Sequence, residues 1–231
     1  MSHITTRTTH LGSTGPSAPS GHVLYGSKGS GSAAVEAALR RLRMPTRIVT
    51  ASTWEPDSAQ AELKRVNPLG QIPTLVLPDG TVMTESAAIL IHLGLHAPDS
   101  GLLPPDASSR ASVIRGLVFI AANCYACIGM IDYPERYTTA RSSAARDALR
   151  NGSRQRLHAL WCDFADQFPA RPWLSGRRAG ALDLLAAVVS RWSGARAHLE
   201  RQRPAFHALL ERIEAHRDFA PVFQRHWPAA G

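Results

Sequence analysis

Long apolar runs are missing from this chain of 231 residues. Even the richest, around Leu184 to Val189, is broken by charged residues, His or Pro well short of the roughly 20 residues a membrane helix needs, so no membrane span is expected. Cysteine is scarce too. Cys124, Cys127 and Cys162 are too few and too unevenly placed for a disulfide framework, which argues against export and suits a reducing cytoplasm. Cys124 and Cys127 form a C-x-x-C, but inside an apolar helical run, where two small buried residues are expected rather than a redox pair.

Aromatics make up only 6% of the chain and acidic residues are outnumbered, leaving a net charge of +8 and a pI near 10.2. That balance would suit a nucleic-acid binder. The basic residues are dispersed, however, as in Arg141, Arg146, Arg150, Arg154 and Arg156, with no interleaved aromatics and no zinc or helix-turn-helix signature. No nucleic-acid partner is expected; the charge reads as a solvated surface or as a field that draws small anions. The ten His residues are scattered without metal-ligand spacing, and no phosphate loop or catalytic triad is present, so no metal is expected.

What is there is a strand and helix pattern that changes character part-way. Residues 1–21, rich in Ser, Thr, Gly and Pro and without the apolar segment of a secretory signal, read as a flexible N-terminal tail. His22–Gly26 reads as a strand, followed by a Gly/Ser turn and an Ala-rich helix from about Gly31 to Arg43. Arg47–Ala51 reads as a second strand reached by a right-handed crossover, and Asp57 as the cap of a helix running to about Val66. Thr74–Leu77, the turn Pro78-Asp79-Gly80 and Thr81–Met83 make an antiparallel hairpin, and a helix over Glu85–Leu95 closes the unit. The expected organisation is an α/β first domain, β-α-β-α-β-β-α, over residues 22–96. A Pro-rich linker at 97–108 and an all-α helical bundle at 109–231 follow it, with irregular chain from about Phe219.

The stretch from Asn67 to Ser86, N-P-L-G-Q-I-P-T-L-V-L-P-D-G-T-V-M-T-E-S, carries the chemistry. A Pro opening a strand suits a cis Ile72–Pro73 bond that turns the N–H and C=O of Ile72 outward, ready to pair with an extended peptide. Ser86 at a helix start offers free N–H groups and a hydroxyl to a carboxylate, and Glu85 offers a charge to a neighbouring ammonium. The stretch resembles the N-P-x-G-x-[IV]-P, strand, D-G, strand, [ED]-S pattern of the cytosolic glutathione transferase family. That resemblance implies a thioredoxin-like first domain. It also implies glutathione as substrate or cosubstrate, bound through Gln71, Ile72, Pro73, Glu85 and Ser86, with Asn123 facing the cleft from the second domain.

In such transferases the loop Gly26–Ser32 holds the group that stabilises the thiolate of bound glutathione. Gly31 stands where the bacterial beta class carries Cys, and Ser30 resembles one of the paired serines of the zeta class. Ser30, then Ser32, are therefore the catalytic candidates, with Tyr125 at about the place of a beta-class His. A charge-assisted hydrogen bond of about 1.5–3 kcal/mol and a helix terminus of about 0.3–1 kcal/mol would lower a thiol pKa by about one to two units. Further on, Trp173–Asp183 resembles a family segment in which Gly180 replaces the usual Ser or Thr cap, so that this cap hydrogen bond is expected to be lost, and Asp183 is structural.

The resemblance implies an enzyme of detoxification type that attacks a hydrophobic electrophile, and a homodimer. A glutathione-dependent isomerase, reductase or ether-cleaving enzyme, or a catalytically silent interaction protein, share the same binding half and remain open.

Overall fold

A computed structural model describes residues 21–55 and 57–228; the expected tail lies, apart from Gly21, outside the described residues. The first half runs β1 (His22–Gly26), α1 (Ser32–Arg41), β2 (Thr46–Thr50), α2 (Gln60–Val66), β3 (Thr74–Val76), β4 (Val82–Met83) and α3 (Ser86–His96). This is the element order read from the sequence. The strands form one mixed sheet in the order β2-β1-β3-β4, with β1 parallel to β2 and antiparallel to β3. Strand alternation divides β1 between two cores: Leu24 packs with the helices α1 and α3, and Val23 and Tyr25 pack with Leu63 of α2 on the opposite face. Ala33, Ala34, Ala37 and Ala38 of α1 are all buried, their small side chains letting the helix lie close to its neighbours.

α2 starts two residues later than expected. Its N-cap is Ala59 rather than Asp57, because the Ser58 hydroxyl is bound back to the Ser52 carbonyl (2.7 Å) and holds the chain in a turn before the helix begins.

The second half is helical: α4 (Ala107–Phe119), a π-helical turn (Ile120–Cys124), α5 (Tyr125–Asp132), α6 (Ser143–Gln167), α7 (Ala181–Val189), α8 (Ala195–Gln202), α9 (Pro204–Glu214) and α10 (Ala220–His226). Two expectations change here. The run Ala107–Asp132 is one continuous helical stretch, long and apolar enough to cross a membrane by length and composition, contrary to the expectation that no such stretch exists. It carries only Arg110, Arg115 and Asp132 among its charges and buries Val113, Leu117, Ile120, Ile128 and Ile131 against α6 and α7. Ala220–His226 is helical rather than irregular. Pro221 falls in the first turn of α10, where its missing N–H costs nothing, and Val222, Phe223 and His226 are buried.

α7 is apolar on every side and fully buried, as a central helix must be. Its first turn shows how a lost cap is replaced. The Asp183 carboxylate accepts the N–H groups of Leu174, Ser175 and Gly180 (2.8, 2.9 and 2.9 Å). The hydroxyl of Ser175, from the preceding loop, accepts the Leu182 N–H (3.1 Å), so the hydrogen bond expected to be missing at Gly180 is supplied from a different residue. Burial pushes the Asp183 carboxyl up, and these N–H groups pull it the other way. Gly180 itself has no room for more, since a Cβ there would stand 2.6 Å from the Leu102 carbonyl oxygen.

Candidate active site

The loop between β1 and α1 is organised by its own serines. Ser30 Oγ donates to the Ser27 carbonyl (2.8 Å), lies 2.8 Å from Ser32 Oγ and accepts the Ser32 N–H (3.2 Å). Ser32 turns inward beneath Gly26, where its hydroxyl accepts the Ser27 N–H (3.3 Å). The two candidate serines therefore separate: Ser30 lines the cavity described below, and Ser32 holds the loop from behind. Ser27 Oγ and Ser52 Oγ both donate to Glu55 (2.7 and 2.6 Å), holding that carboxyl below its usual range, with the Ser52 bond the larger cause.

Across from this loop, Asn67 shapes the chain before β3. Its carboxamide donates to the Gln71 carbonyl (3.2 Å) and to Thr74 Oγ1 (3.0 Å), and Thr74 donates to the same carbonyl (2.8 Å). The Ile72–Pro73 bond is cis, and among the described residues neither the N–H nor the C=O of Ile72 has a hydrogen-bond partner within the chain. Ser86 opens α3 and is buried. Glu85 precedes it at φ +63°, a left-handed conformation that costs a residue of this kind about 1–3 kcal/mol and is found where surrounding structure enforces it.

Tyr125 reaches this place from α5. Its hydroxyl lies 3.4 Å from Ser86 Oγ, and its ring packs against Trp192 with centroids 5.8 Å apart. Gly31 makes the approach possible: a Cβ at that position would stand 2.5 Å from Tyr125 Oη. The phenol thus occupies the space that a side chain at position 31 would need. Burial is the main cause pushing the Tyr125 hydroxyl up to about 12, with a smaller push from Glu85, so it keeps its proton through the neutral range.

These pieces line one cavity of about 530 Å³ between the two halves of the chain, with Ser30, Gly31, Gln71 to Pro73, Glu85, Ser86 and Tyr125 in its wall. Asn123 is not in the wall. Its carboxamide donates to the Phe119 carbonyl one turn back (3.0 Å), within the π-helical turn, and is held away from the cavity. A second cavity of about 550 Å³, between α6 and α9, is walled by apolar side chains and Arg212, whose guanidinium already bonds the Pro172 carbonyl, and it gathers no set of convergent polar groups.

Residues 32–95 match the family described as "Glutathione S-transferase, N-terminal domain". Among curated proteins, an uncharacterized GST-like protein of Escherichia coli K12, YncG, is 31% identical over 171 residues, covering 73% of this chain and 80% of its own length. The chain belongs to the glutathione S-transferase family. Among solved structures, the bacterial GST BphK, in a ternary complex, is 25% identical with a TM-score of 0.73, over 88% of this chain and 98% of that one. A glutathione S-transferase from Methylobacterium radiotolerans, in complex with glutathione sulfonate, is 27% identical with a TM-score of 0.69, over 87% of this chain and 94% of that one.

Within this glutathione S-transferase, the cavity also draws on residues that carry no local signal in the sequence. Trp54 and Tyr137 stand half exposed at the mouth, and Arg136 lies over the Tyr133 ring at 4.0 Å. Trp192 and His226, far along the chain, reach the loop that holds Ser30. The C-x-x-C of Cys124 and Cys127 lies buried in the π-helical turn and the start of α5. Its thiols are unpaired and pushed up by burial, Cys124 to about 12, the opposite of what a reactive pair requires.

Proposed function

We propose that this chain is a glutathione transferase that binds glutathione along the interdomain cavity and activates its thiol for attack on a hydrophobic electrophile. One observation carries the reading. A helix start with a buried serine, the Ile72 peptide groups left unpaired among the described residues just before β3, and a protonated phenol facing a side-chain-free residue share one wall, offering partners for the carboxylate, backbone and sulfur of a γ-glutamyl peptide.

The γ-glutamyl carboxylate sits on the N–H groups and hydroxyl at Ser86, with its ammonium beside Glu85. The cysteinyl backbone pairs with the N–H and C=O of Ile72, as an added strand would. The sulfur then lies against Gly31, where Tyr125 Oη donates to it, Ser30 Oγ donates only by turning its proton away from the Ser27 carbonyl, and the first N–H groups of α1 add a favourable field. The thiol proton leaves to solvent, the thiolate forms a C–S bond to the electrophile, and the electron pair of the broken bond departs with the leaving group. Of the candidates, Tyr125 is the stronger donor here. Among the described residues its hydroxyl has only the long contact to Ser86, and that of Ser30 is committed to Ser27 and Ser32. Trp54, Ile128, Tyr133 and Tyr137 form the apolar side for the second substrate. Unpaired cysteines suit a reducing cytoplasm, and we extend the reading to a homodimer.

Calorimetric titration with glutathione tests this directly. Saturable binding is expected for the native protein, weakened about tenfold or more in Ser86→Ala, the factor that about 1.4 kcal/mol represents. No binding by the native protein would favour a silent interaction protein instead. With generic electrophiles, consumption of glutathione identifies conjugation, and its regeneration identifies an isomerase.

A further inference from the structure

His226 is a buried titratable residue with no part in the reading above, yet it touches the loop that carries Ser30. Its Nδ1 accepts the Gly29 N–H (3.2 Å), which leaves the ring proton on Nε2, facing Glu36 of α1 at 3.0 Å. Glu36, itself buried, also pairs with Arg225 of the same C-terminal helix. The other side of the Gly29 peptide is held as well, because Trp192 Nε1 donates to the Gly29 carbonyl (3.2 Å). Trp192 in turn packs against Tyr125. Both polar groups of Gly29 are thus bound by side chains from the helical half, one from α10 and one from the turn after α7.

We propose that His226 and Trp192 are positioning residues for thiol activation, clamping Gly29 so that Ser30, Gly31 and Tyr125 hold the geometry the sulfur needs. This rests on the transferase reading above. His226 fixes the loop to α1 through Glu36. Trp192 couples the same peptide to the ring of Tyr125, so the two hydroxyls that face the sulfur are set by one arrangement. The clamp makes the C-terminal helix, remote in sequence, a working part of the site. The loop's own serines fix Ser30 against Ser27 and Ser32 but do not tie the loop to the helical half that carries Tyr125, and hydrogen bonds to a developing charge weaken steeply with small displacements.

The test uses the full chain, with thiolate absorbance of bound glutathione titrated against pH and with steady-state kinetics on 1-chloro-2,4-dinitrobenzene. His226→Phe removes the acceptor. His226→Asn places an amide oxygen near Nδ1 and restores it. Trp192→Phe keeps the ring against Tyr125 and removes only the donor. The proposal predicts that His226→Phe and Trp192→Phe raise the bound thiol pKa and lower kcat about tenfold with little change in the KM for glutathione, and that His226→Asn recovers most of the loss. Faster hydrogen exchange at the Gly29 amide in His226→Phe without ligand reports the clamp itself. Should the native complex show a lowered thiol pKa that both phenylalanine variants retain, the positioning role is wrong and the transferase reading stands. Should the native complex show no lowered pKa, the transferase reading fails and the positioning role fails with it. If His226→Phe does not fold, Trp192→Phe decides the matter by the same two readouts.

Discussion

Gly31 and Tyr125 are best understood as one feature. Where a side chain would project into the cavity the chain has none, and a phenol from the other half fills the space to within 2.5 Å of where a Cβ would stand. Gly31→Ala is therefore expected to push the Tyr125 hydroxyl off the sulfur position. Turnover should fall about tenfold, the effect of losing roughly one good hydrogen bond in the transition state, with the KM for glutathione little changed. Steady-state kinetics over a range of glutathione concentrations checks the split. A matching rise in KM would mean that position 31 serves binding rather than activation. Which residues of the first half gather in the cavity wall was legible, because Asn67 to Ser86 is a contiguous run whose turn and capping chemistry has few alternatives. The division of labour between Ser30 and Ser32 was not. Two serines flanking a glycine look alike in sequence, and only the inward turn of Ser32 beneath Gly26 separates them.

At the scale of elements, local patterns served well where they were strong. The alternation of β1, the hairpin of β3 and β4 around Asp79-Gly80, and the helical spacing of α3 all appear where expected. They served poorly where tertiary contacts decide. Asp57 has the chemistry of a cap, but Ser58 is drawn to Ser52 and delays the helix; Pro221 looks like a breaker and instead opens α10. The first turn of α7 gives the sharpest test. From sequence, Gly180→Ser restores a missing cap and should stabilise by roughly a few tenths of a kcal/mol. In the structure Ser175 already accepts the Leu182 N–H, and a Cβ at position 180 would meet the Leu102 carbonyl at 2.6 Å. The expected outcome is a loss of about 1–3 kcal/mol, measured as a lower denaturant midpoint with unchanged slope.

For the whole molecule, the two halves are joined by buried polar contacts as well as by a continuous apolar core, and those contacts titrate. Burial, with smaller pushes from Arg225 and Lys28, lowers His226 from 6.5 to about 4. Between those values the unfolded chain binds a proton that the folded chain does not, so stability rises with pH across this window and falls as pH drops from 6.5 toward 4. The contribution is on the order of 2 kcal/mol after allowance for screening, read from denaturant midpoints at several pH values. In His226→Asn that slope should flatten, and a slope identical to the native one would place the titration elsewhere.

The central claim is that this cavity lowers the pKa of a glutathione thiol by means of the hydroxyl that faces Gly31. The measurement that tests it most directly is the thiolate absorbance titration of the glutathione complex, native beside Tyr125→Phe and Ser30→Ala. The account predicts a bound thiol about one to two units below free glutathione, rising toward the free value in Tyr125→Phe and by a smaller step in Ser30→Ala. A saturated complex whose thiol titrates like free glutathione in the native protein would contradict it.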